Sequence, residues 1–258
     1  MTAGRQLLSS VCVFPMRHSG RARISSTAAM ASTARVVRRV ASGLACAVAL
    51  AGCAASNSQY YSLQTVSDSR PKAVNSIVDA LNVQSVSIPA QVDRPQLLLT
   101  GRTDGAVSVM NDSLWVAPLA DEIRLAVASR LGQQLGVPDV NGTGAPANLP
   151  LWGVKLDVQR FEAMYGKYVQ VQTSWRLSRR PETKGDGLPV VCRANVQVPA
   201  VGGVDATVRA YQQALVQVAD VIAAQVAAGR LGDNAGMTHP KIDLGSGLTW
   251  QGCSGSTD

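Results

Sequence analysis

Three consecutive segments between residues 152 and 198 alternate apolar and polar side chains, and that pattern restricts the fold more than any other feature of the chain. Trp152, Val154, Leu156 and Val158 alternate with Lys155, Asp157 and Gln159. Val169, Val171, Thr173, Trp175 and Leu177 alternate with Gln170, Gln172, Ser174 and Arg176, and then Val190, Cys192, Ala194, Val196 and Val198 with Arg193, Asn195 and Gln197. A period of two places each apolar set on one face of a strand. The connections Gly166-Lys167 and Lys184 to Gly187 have turn chemistry. Together they predict an antiparallel sheet covered on one side only.

The cover comes from two long helices that bracket the strands in sequence. The first starts near Pro118, with Asp121 and Glu122 at the positive end of its dipole, and carries Leu119, Ile123, Val127, Leu131 and Leu135 at four-residue spacing until Gly136 and Pro138 stop it. The second runs from about Ala206 to Ala228, with Asp205 as N-cap and Gly229 just past its end; Val208, Tyr211, Leu215, Val218, Ile222 and Val226 line one face. Shorter extended elements are expected at Tyr60–Leu63, Val83–Ile88, Leu97–Leu99 and Ala106–Met110, the last two forming a hairpin across Asp104-Gly105. Thr65 to Asn82 reads as loop with a short turn of helix near Val74–Leu81. The expected fold is a single α+β domain over residues 60–229: a mostly antiparallel sheet of five to six strands with the two long helices packed on one face.

What precedes the domain reads as processing signal. Leu50-Ala51-Gly52-Cys53 has the form of a lipobox, in which a cysteine thiol takes a diacylglyceryl group and small residues before it admit a peptidase. Val40 to Ala51 is an apolar run of about a dozen residues, too short to span a bilayer but of signal-core length, and Arg35, Arg38 and Arg39 flank it. Residues 1–52 are therefore expected to be a lipoprotein signal peptide, with Met30 a candidate true start. Residues 53–59 become a lipidated tether, and 230–258 a Gly-rich tail. An ordinary secretory leader with an incidental Cys53 is the alternative.

Removal of the leader changes the charge argument. It holds seven of the 24 basic residues and none of the 17 acidic ones, so the chain's formal net charge of +7 belongs to the leader and the remainder is balanced. No basic patch with interleaved aromatics remains, and nucleic-acid binding loses its support. Of the five cysteines, Cys12 and Cys46 leave with the leader and Cys53 takes lipid, which leaves Cys192 and Cys253. A disulfide between them is the preferred reading in an oxidising compartment, and it would tie the tail to the last strand; two unpaired thiols are the alternative.

Catalytic patterns are missing. His239 is the single histidine after the leader, in a Gly- and Pro-containing tail, and no G-x-S-x-G accompanies it. No metal-ligand spacing and no phosphate loop occur. Asp121 and Glu122 read as helix-dipole residues before catalytic carboxylates, and Trp115 as a core residue before a ligand platform. The expectation is a non-enzyme with no metal and no cofactor beyond the covalent diacylglyceryl and N-acyl lipid on Cys53.

Tyr60-Tyr61-Ser62-Leu63, then Val86-Ser87-Ile88-Pro89 with Asp93-Arg94-Pro95-Gln96, then Trp115-Val116-Ala117-Pro118-Leu119 running into Ile123 and Leu131, resemble the ABC-type transport auxiliary lipoproteins, the PqiC-like family. Leu114 departs from the basic or polar residue expected before the Trp. The resemblance implies an accessory of an intermembrane phospholipid transport system, lipid-anchored on the periplasmic face of the outer membrane of a Gram-negative-type envelope. Its implied partners are an MCE-domain periplasmic protein and inner-membrane transport components, with self-association left open. Ala54 and Ala55 lack the Asp that retains lipoproteins at the inner membrane. The expected partner surface is the open sheet face at Gln170, Gln172 and Arg176, together with an unpaired strand edge. The rival reading is a structural lipoprotein that assists outer-membrane barrel or lipopolysaccharide machinery.

Overall fold

Strand β5 (Leu151–Met164) is the axis of the molecule, because three other strands hydrogen-bond to it. Its burial alternates for most of its length, so one face is committed to the core and the other to solvent. Along one edge it pairs antiparallel with β6 (Tyr168–Arg180), from Leu151 opposite Arg180 to Met164 opposite Tyr168. β7 (Val190–Pro199) and β8 (Leu248–Gly255) continue outward from β6, both antiparallel. The other edge of β5 is shared. β2 (Ala80–Val83) runs parallel to its first four residues, and β3 (Gln96–Thr100) meets its end where Thr100 opposes Met164. β3 forms the expected hairpin with β4 (Val107–Trp115), and β1 (Gln59–Tyr61) lies parallel to the last three residues of β4. The result is an open, eight-stranded mixed sheet.

The structure is a computed structural model that describes residues 58–65, 79–101, 105–141, 144, 149–181, 189–230, 233–240 and 247–255. Helix α1 (Leu119–Leu135) follows β4, α2 (Val204–Arg230) follows β7, and a short α3 (Asn234–Thr238) precedes β8. Pro118 stands at the N-cap of α1 and Gly136 ends it in the left-handed conformation, φ 66°, its N–H donating to the Gly132 carbonyl. The long face of α2 is buried from Thr207 to Val226 against the apolar face of the sheet, and one continuous core includes both long helices.

Several polar contacts hold this core in register. Arg130 on α1 grips Asp220 on α2 through Nε and Nη2, at 2.7 and 2.9 Å, and that hydrogen bonding raises the guanidinium pKa. The pair is partly exposed, so it contributes at most about 1 kcal/mol. A more buried clasp joins the end of α2 to the start of β2: Arg230 donates from Nε to Asp79 at 2.7 Å, and Trp152 Nε1 donates to the same carboxylate at 2.9 Å. Asp79 is 3% exposed, and loss of its partners would leave an uncompensated buried charge. Gln225, fully buried on α2, accepts from Trp175 Nε1 at 2.8 Å and donates to the Met237 carbonyl, binding helix, sheet and α3 together. Phe161 stacks on Tyr211 with centroids 3.9 Å apart, and Trp115 meets both edge-on at 6.3 Å. Such pairs add roughly 0.5–1.5 kcal/mol each beyond area burial.

The α+β class holds, but among the described residues the counts differ from expectation: eight strands replace five to six, and a third, short helix joins the two long ones. The strand expected at Val83–Ile88 lies earlier, at Ala80–Val83, because Ala80, Leu81 and Val83 are the residues that fill the core beside Leu151–Val154. Downstream, the Gln84 N–H donates to the Val154 carbonyl and Ser87 bridges to β5 at Asp157. The turn of helix expected near Val74–Leu81 is contradicted at Asp79, Ala80 and Leu81, none of which is helical; residues 74–78 lie outside the described residues. β4 runs five residues past Met110, since β1 gives Ser113–Trp115 a partner. Asp205 sits inside the first turn of α2 rather than capping it, and Gly229 sits inside the helix rather than after it.

Candidate functional site: the open face of the sheet

With the helices on one face, the other face of β5, β6 and β7 presents a polar array whose rows follow from strand register. Glu162, Gln170 and Gln197 form one row; Arg160, Gln172 and Asn195 the next; Asp157, Ser174 and Arg193 a third; Lys155, Arg176 and Val191 a fourth. Hydrogen bonds order the middle of it. Arg160 Nη1 donates to Gln170 Oε1 at 3.3 Å, and Gln170 Nε2 donates to Asn195 Oδ1 at 3.0 Å. Gln159 Nε2 donates to both Asp157 Oδ2 and Ser174 Oγ, at 2.6 and 2.7 Å. The bulge between Val158 and Arg160 turns Gln159 and Arg160 outward together, which brings both into the network.

One end of the array is cationic. Lys155 and Arg176 stand directly opposite each other on neighbouring strands, with Arg193 on the strand beyond, and among the described residues none of the three has an acidic partner. Like charges directly opposite in a sheet destabilise it. A shallow depression of about 280 Å³, lined by Ser174, Val191, Arg193, Gln251, Gly252 and Ser254, opens on the strands beside Arg176. The arrangement offers fixed amides and hydroxyls next to uncompensated positive charge, suited to an extended segment or group of negative charge.

The sequence-selected residues fall into three sets. Gln170, Gln172 and Arg176 share this face, Gln170 inside the hydrogen-bond network and Arg176 at the cationic end. Cys192 and Cys253 face each other across β7 and β8 with Cα atoms 3.9 Å apart and their sulfurs joined. Leu50, Ala51, Gly52 and Cys53 lie outside the described residues.

Other residues weighed from sequence take structural places. Glu122 is buried and accepts from both the Ser62 hydroxyl and the Leu63 N–H at 2.7 Å, fastening the chain after β1 to α1. Trp115 closes the core, and His239 caps α3 with its backbone N–H. Among the described residues no three His, Cys, Asp or Glu side chains group to hold a metal. No helix among them is long and apolar enough to cross a membrane. Sequence reasoning missed Lys155 and Arg193. Both were visible as the polar partners of alternating strands, but only register sets Lys155 opposite Arg176.

The fold is thus an α+β domain whose sheet is covered by helices on one face and presents a polar, cation-tipped array on the other. The chain is a member of the ABC-type transport auxiliary lipoprotein component family, whose model matches residues 61–223. It is therefore an envelope-associated lipoprotein that works with the components of a transport system. No curated protein matches the chain. Two crystal structures are similar. One, of an uncharacterized protein, is 18% identical with a TM-score of 0.49, covering 66% of this chain and 99% of its own. The other, a Xanthomonas campestris protein of the DUF330 family, is 19% identical with a TM-score of 0.49, covering 67% of this chain and 98% of its own.

Proposed function

We propose that this protein is a non-enzymatic accessory of an ABC/MCE-type intermembrane phospholipid transport system, anchored by acyl chains on Cys53 and docking the periplasm-spanning component at the outer membrane. Two or more acyl chains, at roughly 0.8 kcal/mol per buried CH₂, make such an anchor effectively permanent. The observation that carries the docking reading is the Lys155–Arg176 juxtaposition beside Gln170 and Gln172: like charges held opposite each other on an otherwise ordered, uncovered face. That face accepts an acidic or carboxylate-bearing partner segment, and its preset amides reduce the ordering cost of binding.

The test is cross-linking in cells before the membranes are dissolved, followed by mass spectrometry of what co-purifies with the lipidated protein. Cys53→Ser serves as the unanchored control and Gln172→Glu/Arg176→Glu as the surface variant. Recovery of an MCE-domain protein, reduced about ten-fold or more by the double charge change, is the expected outcome. Recovery of barrel-assembly or lipopolysaccharide-export components instead would reject the transport reading. Undiminished MCE recovery in the double variant would reject the sheet face.

A further inference from the structure

Seven large hydrophobic side chains are exposed among the described residues; three of them, Tyr60, Val116 and Val201, lie where the tether joins the domain, and three more follow along the rim that leads away from it. Tyr60, 65% exposed, is on β1, and Val116, 58% exposed, follows the strand that β1 pairs with, its N–H bonded to the Tyr61 carbonyl. Val201, 81% exposed, lines a groove of about 420 Å³ together with Gln59, Tyr61, Ser113 and the start of α2. The remaining three connect through backbone contacts. Val107 and Val109 sit on the β3–β4 hairpin, Val107 opposes Thr100, Thr100 accepts from the Tyr165 N–H, and Lys167, two residues on, accepts from Ala200 next to Val201. Single exposed valines need no explanation; six large hydrophobic side chains linked in sequence along one rim do.

We propose that this rim is a membrane-apposed surface, seated in the headgroup region of a phospholipid bilayer. The tether supplies the reason for that partner. Six residue steps separate Cys53 from Gln59 and span at most about 20 Å when extended, so an anchor at Cys53 keeps β1 and its neighbours at the bilayer. Exposed Lys167 and Arg209 stand on the same rim, where they meet anionic headgroups, and the Asp205 carboxylate beside them is engaged by the Tyr61 hydroxyl at 2.9 Å. Tyrosines with an apolar body and polar tip suit that depth. The rim interleaves its valines with glycine, serine and aspartate, so it lacks the continuous apolar centre of a stable protein interface, whereas a bilayer interface asks only for amphipathic side chains.

This inference rests on the Cys53 anchor, and the experiment separates the two. The full lipidated chain is reconstituted into vesicles of phosphatidylethanolamine and phosphatidylglycerol, with an environment-sensitive fluorophore on Val201→Cys, Val107→Cys or, as control on exposed α1 surface, Ser129→Cys. Labels at 201 and 107 are expected to be quenched by lipid-borne nitroxide, and shielded from an aqueous quencher, about two-fold or more relative to 129. Vesicle flotation with all three labels equally open to water overturns the rim and leaves the anchor intact. Shielding at 201 and 107 without quenching by lipid nitroxide assigns the rim to a protein contact and also overturns the proposal. Failure to float overturns the anchor, and the rim with it.

Discussion

The backbone of Gly229 lies against the indole of Trp152, so closely that a β-carbon there would collide with ring atom Cη2 and with the Met237 sulfur. On an unpacked helix a Gly to Ala change is stabilising by about 1 kcal/mol, because alanine has the higher helix propensity. Here the neighbour is a fully buried ring held by its hydrogen bond to Asp79, and it cannot yield cheaply. Gly229→Ala is therefore expected to destabilise the domain by about 1–3 kcal/mol. Urea unfolding midpoints decide the sign, and a gain in stability would show that the end of α2 has room to spare.

The same glycine shows what sequence could and could not reveal. Gly229 followed an apolar stripe and so carried the mark of a helix end, yet it is conformationally ordinary and serves close approach to a side chain 77 positions earlier. Local pattern located α1, α2, β5, β6 and β7, since each is long enough for its period to register and each buries the face that the period selects. β2 escaped because its Ala80–Val83 segment is almost wholly buried and has no alternation to read. β8 escaped because its glycines and polar residues look like a tail, and its strand character comes from β7 beside it. Gln225 is a polar residue inside an apolar stripe; sequence shows the anomaly but not the Trp175 indole that answers it. The partner face was half legible: alternation set Gln170, Gln172 and Arg176 on one side, while the cationic end required register across three strands.

The link between Cys192 and Cys253, 61 positions apart, closes a loop that runs from within β7 through α2 and α3 into β8. Chain-entropy reasoning for a loop of that size gives a stabilisation of about 4 kcal/mol. Cys253→Ala is expected to lose most of that, and β8 to detach before the rest unfolds, because it is an edge strand paired on one side only, to β7, with Leu248 and Trp250 as its remaining core contacts. Trp250, whose ring lies 5.7 Å from Trp175, reports the detachment by fluorescence, and limited proteolysis should remove the C-terminal segment while leaving the remaining domain whole. Identical protease sensitivity in Cys253→Ala and the parent would show that β8 is held without the bond.

Alkaline pH tests the aromatic centre of the core. The Tyr211 hydroxyl is carried on a ring that stacks on Phe161, and burial first, then the negative charge of Glu162, push its pKa well above the ordinary phenol value of 10. The Tyr61 phenol is raised as well, by burial and by the Asp205 carboxylate that accepts its hydrogen bond. A raised pKa means that the folded chain keeps a proton the unfolded chain releases. The resulting stabilisation is complete below about pH 10 and is lost as pH rises through the folded value, at up to about 1.4 kcal/mol per pH unit for each proton retained. Stability is accordingly expected to be insensitive to these groups from about pH 7 to about 9 and to fall steeply above about 10. Tyr211→Phe keeps the stacking and removes the titrating group, so its alkaline limb should be shallower than the parent's, and Tyr61→Phe should flatten it less. Urea midpoints across that range provide the measurement. Superimposable limbs for the parent and Tyr211→Phe would show that the alkaline loss arises elsewhere.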